Sequence, residues 1–414
     1  MKISAVIGAN YGDEGKGLIT DYLAAKSKSM VVRFNGGAQA GHTVVTPEGK
    51  RHVFHHFGSG TLAGAPTFLS RFFICNPMFF GREMKELMTL GPDPEIYIDP
   101  RCLVTTPWDL MLNQAAEKAR GNKKHGSCGM GINETVHRNE DPEFSLTWKD
   151  MRERDLARKL NKIRTEYVPK RKDQLRIEED LPWVMDNGIM GRFMEDVTFM
   201  KYASNFCPWE DLGLDSDEGN EYNRKPYDLI FEGAQGLRLD MDGKDFPHVT
   251  RSKTGITNVL TLLRERNIVE PVDAYYVTRT YLTRHGAGPL ENEWVKPELS
   301  VVDETNIHNE HQEHLRYAWL DLDQLCYDIN HEFSPSVGFG STVQPLLALT
   351  HVDQVDAMKY YQSTGNGFNI STHLMSSTPM KFAEMVCDSL DAERYLMSFG
   401  KTRKDVRWVE YVSK

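Results

Sequence analysis

The sequence predicts an α/β protein: one large single domain, residues 1–414, around a mostly parallel central sheet, with a P-loop-like nucleotide site and helical insertions. An apolar run at residues 3–8 leads into a glycine-rich turn, a helical pattern and a second apolar run at residues 31–34. A strand, a helix and a strand in this order form a βαβ unit, which implies a parallel sheet. Hydrophobic residues are 40% and charged residues 26% of the chain, as is typical of a globular protein.

Each predicted element rests on a local pattern. Residues 3–8 predict a buried strand, and apolar side chains at helical spacing follow it: Leu18, Ile19, Tyr22 and Leu23. Residues 106–121 predict a helix, because a capping threonine and a proline stand at its start. Residues 228–231 and 345–350 predict further buried strands. The charged segment at about 140–226 is predicted to be a helical and loop insertion within the single domain.

Composition excludes several classes of function. Lys and Arg number 49 and Asp and Glu number 59, so the net charge of −10 argues against a nucleic-acid-binding protein. The six cysteines form no C-x-x-C pair, which predicts a reduced, intracellular chain without a structural zinc site. No apolar stretch approaches the length of a membrane span. We therefore expect a cytoplasmic, soluble protein, for which a small anionic ligand is still allowed because a local site can be positive on a negative protein.

The strongest motif is the glycine-rich segment at residues 8–17. Its glycines let backbone N–H groups approach phosphate oxygens, and the helix that follows adds positive potential. Lys16 has the reach to contact a β- or γ-phosphate, but Gly17 stands where a standard P-loop has the Ser or Thr that holds magnesium. A metal therefore needs another ligand, and Asp13 is the nearest carboxylate. The alternative is a plain glycine turn with solvated charges.

Two further motifs follow predicted strands. His42 lies in a glycine-rich loop after the second strand, where it is either catalytic or a structural loop histidine. Gln235 lies in a Gly-Ala-Gln-Gly turn after the strand at residues 228–231. Its amide both donates and accepts hydrogen bonds, which suits the edge of a purine, although a simple strand-ending turn has the same composition.

The combination of motifs resembles the adenylosuccinate synthetase family. Gly12–Gly17, Ala40–Thr43, Glu232–Gly236 and Thr283–Pro289 occur in the order and spacing of that family, and the resemblance runs from Ile3 to about Asp405. It implies a ligase that uses a nucleoside triphosphate and Mg²⁺ to join aspartate to C6 of a purine nucleoside monophosphate, IMP. The 6-oxygen first takes the γ-phosphoryl group, and the aspartate amine then displaces phosphate. The resemblance also implies a homodimer.

The resemblance assigns roles to individual residues. The catalytic residues are expected to be Asp13, Lys16, His42 and Gln235. The triphosphate is expected to contact Gly12, Gly15, Lys16, Gly17, Gly41, His42, Thr43 and Asp353. The monophosphate is expected to contact Asp13, Asn35, Gln39, Ser127, Cys128, Arg138, Gln235 and Thr250, with Arg138 reaching across the dimer interface. Arg284 and Arg316 are expected to hold the amino acid, and Asp13 with the Gly41 carbonyl to hold magnesium.

Several positions depart from the family pattern. Cys128 replaces a threonine of the monophosphate loop. The family's arginine run before Trp-Leu-Asp is reduced to Arg316, with His311 and His314 nearby as possible helpers. The base-reading loop keeps Asp353 but has His351 in place of a lysine, so the phosphoryl donor can be GTP or ATP.

Some of these departures are similar to a viral branch of the family that acts on deoxyguanosine monophosphate. That branch lacks the carboxylate at the Asp13 position, which this chain keeps. We therefore expect IMP and aspartate first, with (d)GMP or another amino acid as the alternative. A regulatory P-loop GTPase is less expected, because the Ser or Thr after Lys16 and the Lys before Asp353 are missing.

Overall fold

The computed structural model describes residues 1–91, 93–121, 124–214, 226–299, 315–333, 342–366 and 369–411. Its strands are β1 (Ile3–Gly8), β2 (Ser29–Arg33), β3 (His42–Val45), β4 (Arg51–Phe54), β5 (Thr67–Leu69), β6 (Ile74–Cys75), β7 (Ile96–Ile98), β8 (Leu103–Val104), β9 (Asn205–Phe206), β10 (Asp228–Gly236), β11 (Val272–Arg279), β12 (Leu282–Arg284), β13 (Arg316–Ala318), β14 (Leu320–Asp321), β15 (Val343–Thr350), β16 (Met358–Asn366), β17 (Asn369–Ser377), β18 (Arg394–Ser398) and β19 (Val406–Glu410). Its helices are α1 (Lys16–Ala24), α2 (Pro77–Leu90), α3 (Pro107–Arg120), α4 (Ile132–Asn139), α5 (Leu156–Lys162), α6 (Val168–Gln174), α7 (Asn187–Tyr202), α8 (Thr257–Glu265), α9 (Leu322–Phe333) and α10 (Pro379–Leu390).

The central sheet has ten strands in the order β19-β18-β15-β11-β1-β10-β2-β5-β7-β9. Every neighbouring pair is parallel except β18 and β19, which are antiparallel. The predicted α/β class and mostly parallel sheet are therefore confirmed. Strand β1 lies at the centre, with Ala5 between Phe231 of β10 and Ala274 of β11.

Both faces of this sheet are covered, which explains why its strands are continuous apolar runs. Tyr275 and Tyr276 are adjacent on β11 and belong to two different hydrophobic clusters. Successive side chains of a strand point to opposite faces, so the two tyrosines mark the two cores. Phe231 packs with Tyr276, and Val6 packs in the cluster of Tyr275.

The charged segment predicted as an insertion contains the helices α5, α6 and α7 and the edge strand β9. Trp108 of α3, with Trp148 and Phe193, lies in the separate core on which these helices pack. The helical pattern of the segment is thus present in the structure. Residues 215–225, the rest of the predicted loop, lie outside the described residues, so the extent of the insertion remains a prediction.

Three smaller expectations can be compared with the structure. Thr106 caps α3 and forms a capping box with Asp109, as the sequence pattern indicated for the helix at 106–121. The six cysteines are all free. Across the described ranges, none of the helices combines the length and apolar character that crossing a bilayer requires.

The loops that carry the motifs leave the sheet at one edge. They follow the carboxyl ends of β1, β2, β10, β11 and β15, all of which run parallel in the middle of the sheet. Ligands of open parallel sheets bind at this edge. The fold therefore brings the predicted nucleotide, purine and base-reading motifs into one region.

Candidate functional site

The loop between β1 and α1 is organised by a buried carboxylate that the sequence analysis did not single out. Glu14 Oε1 accepts hydrogen bonds from the backbone N–H groups of Asn10 (3.1 Å) and Gly12 (2.7 Å). Glu14 Oε2 pairs with Lys16 Nζ at 2.6 Å, and both side chains are buried. A Cβ at Gly8 would lie 2.4 Å from Glu14 Oε2, so the first glycine of the motif is required by this packing. Glu14 thus fixes the loop and the position of Lys16.

Asp13 lies at the tip of this loop with a left-handed backbone, φ 61°. Its Oδ2 is 3.0 Å from Nε2 of His285, and Arg279 donates from Nε to its carbonyl oxygen. Burial raises the pKa of Asp13, but the hydrogen bond and charge of His285, with the charges of Arg279 and Lys16, outweigh it and lower the pKa to about 2. Asp13 is therefore ionised at neutral pH and can accept a proton. The role of His285 was missed by sequence reasoning.

His42 begins β3 and is supported by a second buried carboxylate. Its Nδ1 is 2.7 Å from Oε1 of Glu232, and Glu232 Oε2 accepts from the backbone N–H of Ser59 at 3.0 Å. Burial opposes ionisation of Glu232, but His42, Arg33 and Ser59 lower its pKa to about 2. An ionised carboxylate can only accept, so Nδ1 of His42 carries the hydrogen of this bond.

The protonation of the His42 ring sets what its second nitrogen can do. Burial lowers the pKa of His42, and the Glu232 carboxylate opposes that shift. With one proton the ring presents Nε2 as an acceptor, and with a second proton Nε2 becomes a donor. Negative phosphate oxygens next to the ring would favour the second proton. The motif around Glu232 contained this partner, but its role was not apparent from sequence.

Three predicted purine contacts meet at the ends of β2 and β10. The Asn35 amide bonds the backbone of Ala234 in both directions, at 3.1 Å and 2.7 Å. Gln235 has a left-handed backbone with φ 58°, and an ideal Cβ at Gly36 would lie 3.1 Å from its Oε1 and 3.6 Å from Nε2 of Gln39. Within the described ranges, Oε1 of Gln39 and Oε1 of Gln235 are buried without a hydrogen-bond partner. Two buried acceptors without partners, on side chains that both approach Gly36, point to a ligand that donates hydrogen bonds.

The predicted monophosphate loop lies against the segment that follows His285. An ideal Cβ at Gly126 would lie 2.4 Å from the backbone nitrogen of Ala287, so only a glycine allows the two loops to touch. Ser127 Oγ accepts from the Asn113 amide at 3.0 Å. Burial raises the pKa of the Cys128 thiol, which therefore stays protonated and is a weak donor.

Thr250 and the remaining nucleotide residues lie around these loops. His248, two residues before Thr250, bonds the His125 carbonyl at 3.0 Å and so joins the Thr250 loop to the monophosphate loop. An ideal Cβ at Gly17 would lie 3.1 Å from the Thr43 carbonyl and 3.2 Å from Cβ of His42, so α1 begins in contact with β3.

The base-reading segment is joined directly to the P-loop-like turn. Thr350 Oγ1 donates to the Glu14 carbonyl at 2.6 Å, and a Cβ at Gly15 would be 3.3 Å from the Thr350 side chain. Burial, assisted by the charge of Arg279, lowers the pKa of His351 well below its usual value, so this ring is neutral. Asp353 is exposed on the short turn Val352–Gln354. Its contact with a nucleobase remains a prediction.

The expectation that Arg138 reaches across a dimer interface is corrected by the structure. Its side chain is fully buried and donates to Asp109 at 2.9 Å, to the Phe144 carbonyl at 2.8 Å and to the Val104 carbonyl at 2.7 Å. A guanidinium with these partners joins α3 to α4 inside its own chain. It is not available to a second subunit or to a monophosphate.

The two arginines expected to hold the amino acid also have internal partners. Arg284 is 1% exposed and donates to Asp245 (3.1 Å) and to the carbonyls of Pro289 (2.7 Å) and His248 (2.8 Å). These bonds hold the loop around Arg284, while its Nε is buried without a hydrogen-bond partner in the described part of the chain, so its contact with the amino acid remains a prediction. Arg316 is partly exposed and donates to Glu293 and to the carbonyls of Gly286 and Gly288. Its contact with an amino acid remains a prediction, and His311 and His314 lie outside the described residues.

Comparisons with known proteins agree with the motifs. The sequence profile of adenylosuccinate synthetase matches residues 5–387. The chain is 31% identical to the adenylosuccinate synthetase of Anaeromyxobacter sp. over 298 residues, which are 70% of this chain and 64% of the relative. It is 30% identical to that of Borrelia turicatae over 334 residues, 78% and 72% of the two chains, and 33% identical to that of Pseudomonas fluorescens over 324 residues, 75% and 68%. The chain thus covers 64–72% of the length of these relatives.

The fold has been observed before. A fully ligated adenylosuccinate synthetase from Plasmodium falciparum superposes with a TM-score of 0.72 at 18% identity, over 100% of both chains. A cyanophage S-2L succinoaminodeoxyadenylate synthetase bound to dGMP and dATP superposes with a TM-score of 0.54 at 14% identity, over 98% of this chain and 95% of that one. At these identities the superpositions support the fold, while the profile and the curated relatives establish the relationship. The chain therefore belongs to the adenylosuccinate synthetase family, a family of ligases that form a carbon–nitrogen bond.

Proposed function

We propose that this chain phosphorylates the 6-oxygen of a purine nucleoside monophosphate, IMP, with a nucleoside triphosphate and then replaces the phosphate with the amine of aspartate. The observation that carries the proposal is that an ionised carboxylate, Asp13, and a histidine bonded to a buried carboxylate, His42, both lie beyond strands that end at the same edge of the sheet. Phosphoryl transfer to a purine oxygen needs a base at N1 and a cation near O6.

In the first step Asp13 accepts the N1 proton while O6 attacks the γ-phosphorus, and the nucleoside diphosphate leaves. Protonated His42 donates from Nε2 to the oxygen atoms that gain charge, and Lys16 exchanges Glu14 for a phosphate oxygen. In the second step the neutral amine attacks C6, the C6–O6 bond breaks, and inorganic phosphate leaves with the 6-oxygen while the amine nitrogen loses a proton to that phosphate or to solvent. Gln235 holds the purine edge in both steps.

Magnesium is the cofactor that the donor set fits. Asp13 offers an ionised carboxylate and Gly41 a backbone carbonyl, the hard oxygen ligands that Mg²⁺ takes together with substrate phosphates. Bound there, it would neutralise charge on the transferring phosphoryl group. GTP and ATP are both candidates for the donor, because Asp353 is retained while His351 replaces the family's lysine.

A second candidate substrate is supported by one observation. The buried Oε1 atoms of Gln39 and Gln235, which have no partner in the described part of the chain, can accept hydrogen bonds from an exocyclic amino group. The 2-amino group of guanine supplies such donors and hypoxanthine does not. The same chemistry on (d)GMP is therefore the alternative to IMP.

The test is a matrix of purified protein with IMP, GMP and dGMP, with GTP and ATP, and with aspartate against other amino acids. Phosphate release and product mass are measured in each mixture. We expect release that requires both the purine and the amine, with a product that contains the amino acid. Triphosphate hydrolysis that is unaffected by any purine would instead indicate a regulatory GTPase. Sedimentation at the assay concentration tests the proposed homodimer.

A further inference from the structure

We propose that His285 is a positioning residue that orients the carboxylate of Asp13 for the phosphoryl-transfer step. The inference rests on the proposed function, because it assigns a support to the base of that reaction. His285 belongs to none of the residue sets that the motifs predicted. It is found only when the distance between its Nε2 and Asp13 Oδ2, 3.0 Å, is measured.

A carboxylate at the tip of a loop needs to be held in one rotamer to act as a base. Asp13 is held at two points: His285 bonds its side-chain carboxylate, and Arg279 donates to its backbone carbonyl. Thr283 Oγ1 donates to the carbonyl of the preceding Gly12 at 3.2 Å. One short segment, residues 279–285, therefore contacts the backbone and the side chain of the loop around Asp13.

The contact also decides which oxygen of Asp13 serves the substrate. With Oδ2 engaged by His285, Oδ1 is the oxygen that can accept the N1 proton. The two side chains are 27% and 29% exposed, so the pair faces an accessible region. A base that is already oriented avoids a reorganisation cost when the substrate binds.

The support of His285 is itself anchored. It follows β12, which pairs with β13 so that Arg284 stands opposite Arg316. Arg316 donates to the carbonyls of Gly286 (2.9 Å) and Gly288 (2.7 Å), which are one and three residues after His285. His285 therefore lies between a paired strand, β12, and a loop that Arg316 holds by two hydrogen bonds, and a positioning residue requires support of this kind.

The experiment compares His285→Gln with His285→Leu in the full-length protein. A glutamine amide can place an N–H where Nε2 stands, whereas leucine cannot donate. His331→Leu is the matched control, because this exposed histidine lies on α9 outside the site. For each variant kcat, the KM values of the purine and the triphosphate, and the melting temperature are measured.

We expect His285→Leu to lower kcat by about 10–100-fold, the usual cost of losing a partner behind a functional group, with both KM values within about 3-fold and an unchanged melting temperature. His285→Gln should recover most of kcat, and His331→Leu should match the wild type. Wild-type kcat in His285→Leu, or equal losses in both His285 variants with lower melting temperatures, would overturn the proposal. Failure of the proposed function is distinct, because the unmodified protein would then release no phosphate in response to any purine.

Discussion

The region proposed for phosphoryl transfer and the region proposed for the amine are built differently. In the first, each functional side chain has a second residue behind it: Glu14 pairs with Lys16, and Glu232 pairs with His42. In the second, the arginine side chains hold the backbone in place, since Arg284 and Arg316 donate to carbonyl groups of the loop that follows β12. The difference teaches that a motif arginine is not evidence of a substrate contact until its internal partners are known.

The largest effect is expected for Asp13→Ala, which removes the base from the first region. General-base catalysis contributes about 10²–10⁴-fold, so kcat for phosphate release should fall by at least that factor. The fold should survive, because the residue lies on a loop. Circular dichroism and steady-state assays check both statements, and near-normal turnover would show that the base lies elsewhere.

Glu232→Gln should have the next largest effect. The amide keeps the shape of the side chain but removes the charge that opposes the lowering of the His42 pKa, so the ring is protonated less often. Loss of such a partner costs about 10–100-fold in activity. The measurement is kcat at several pH values, with His42→Asn as the comparison. If Glu232→Gln retains full activity while His42→Asn does not, the carboxylate has no part in the reaction.

Arg316→Leu tests the second region. If Arg316 also binds a substrate carboxylate, losing that charged hydrogen bond costs about 1.5–3 kcal/mol and raises the KM of aspartate by at least about 10-fold. The rate of purine phosphorylation in the absence of the amine should change less. This rate is measured by isotope exchange within the triphosphate. Equal losses in both measurements would mean that Arg316 acts only through the loop at Gly286 and Gly288.

The smallest effect concerns a buried carboxyl outside the two regions. Burial raises the pKa of Glu332 from 4.5 to about 7, whereas Glu232 at the site is held near 2. The folded state then binds more protons than the unfolded state between pH 4.5 and 7, so stability falls as pH rises through that window and is level above it. Glu332→Gln should remove this slope, which is at most about 1.4 kcal/mol per pH unit, in denaturant titrations at several pH values. A slope that is unchanged would show that Glu332 is not the group responsible.

Patterns in the sequence were sufficient where the sheet fixes position. The βαβ unit around residues 8–17 predicted the fold class, and Asp13, Lys16, His42 and Gln235 all lie at or just beyond the carboxyl ends of parallel strands. The spacing of apolar residues and the composition of the turns predict the strands and where they end, and so predict this edge without knowledge of side-chain contacts.

Patterns were insufficient where a side chain's partner is distant in sequence. The residues next to Arg138 in sequence do not indicate that it pairs with Asp109. Those next to Asp13 do not indicate that it bonds His285. Burial and ion pairing of a cation depend on residues that only the fold brings together. The same limit explains why Glu14 and Glu232 stood inside recognised motifs without an assigned role.

The pairing of β12 with β13 has a consequence for how this protein can change over evolutionary time. The strands fix the two ends of the chain that joins them, with Leu282 opposite Ala318 and Arg284 opposite Arg316. Doubling the length of a loop between fixed ends costs only about 0.6 kcal/mol in closure entropy. A change of length in the part of this connection that follows Pro289 therefore costs little closure entropy, whereas the segment 285–288 contacts Asp13 and Arg316 and is constrained. If this connection also contacts the amine, a lineage could change its amine substrate there while it keeps His285 and the rest of the phosphorylating machinery.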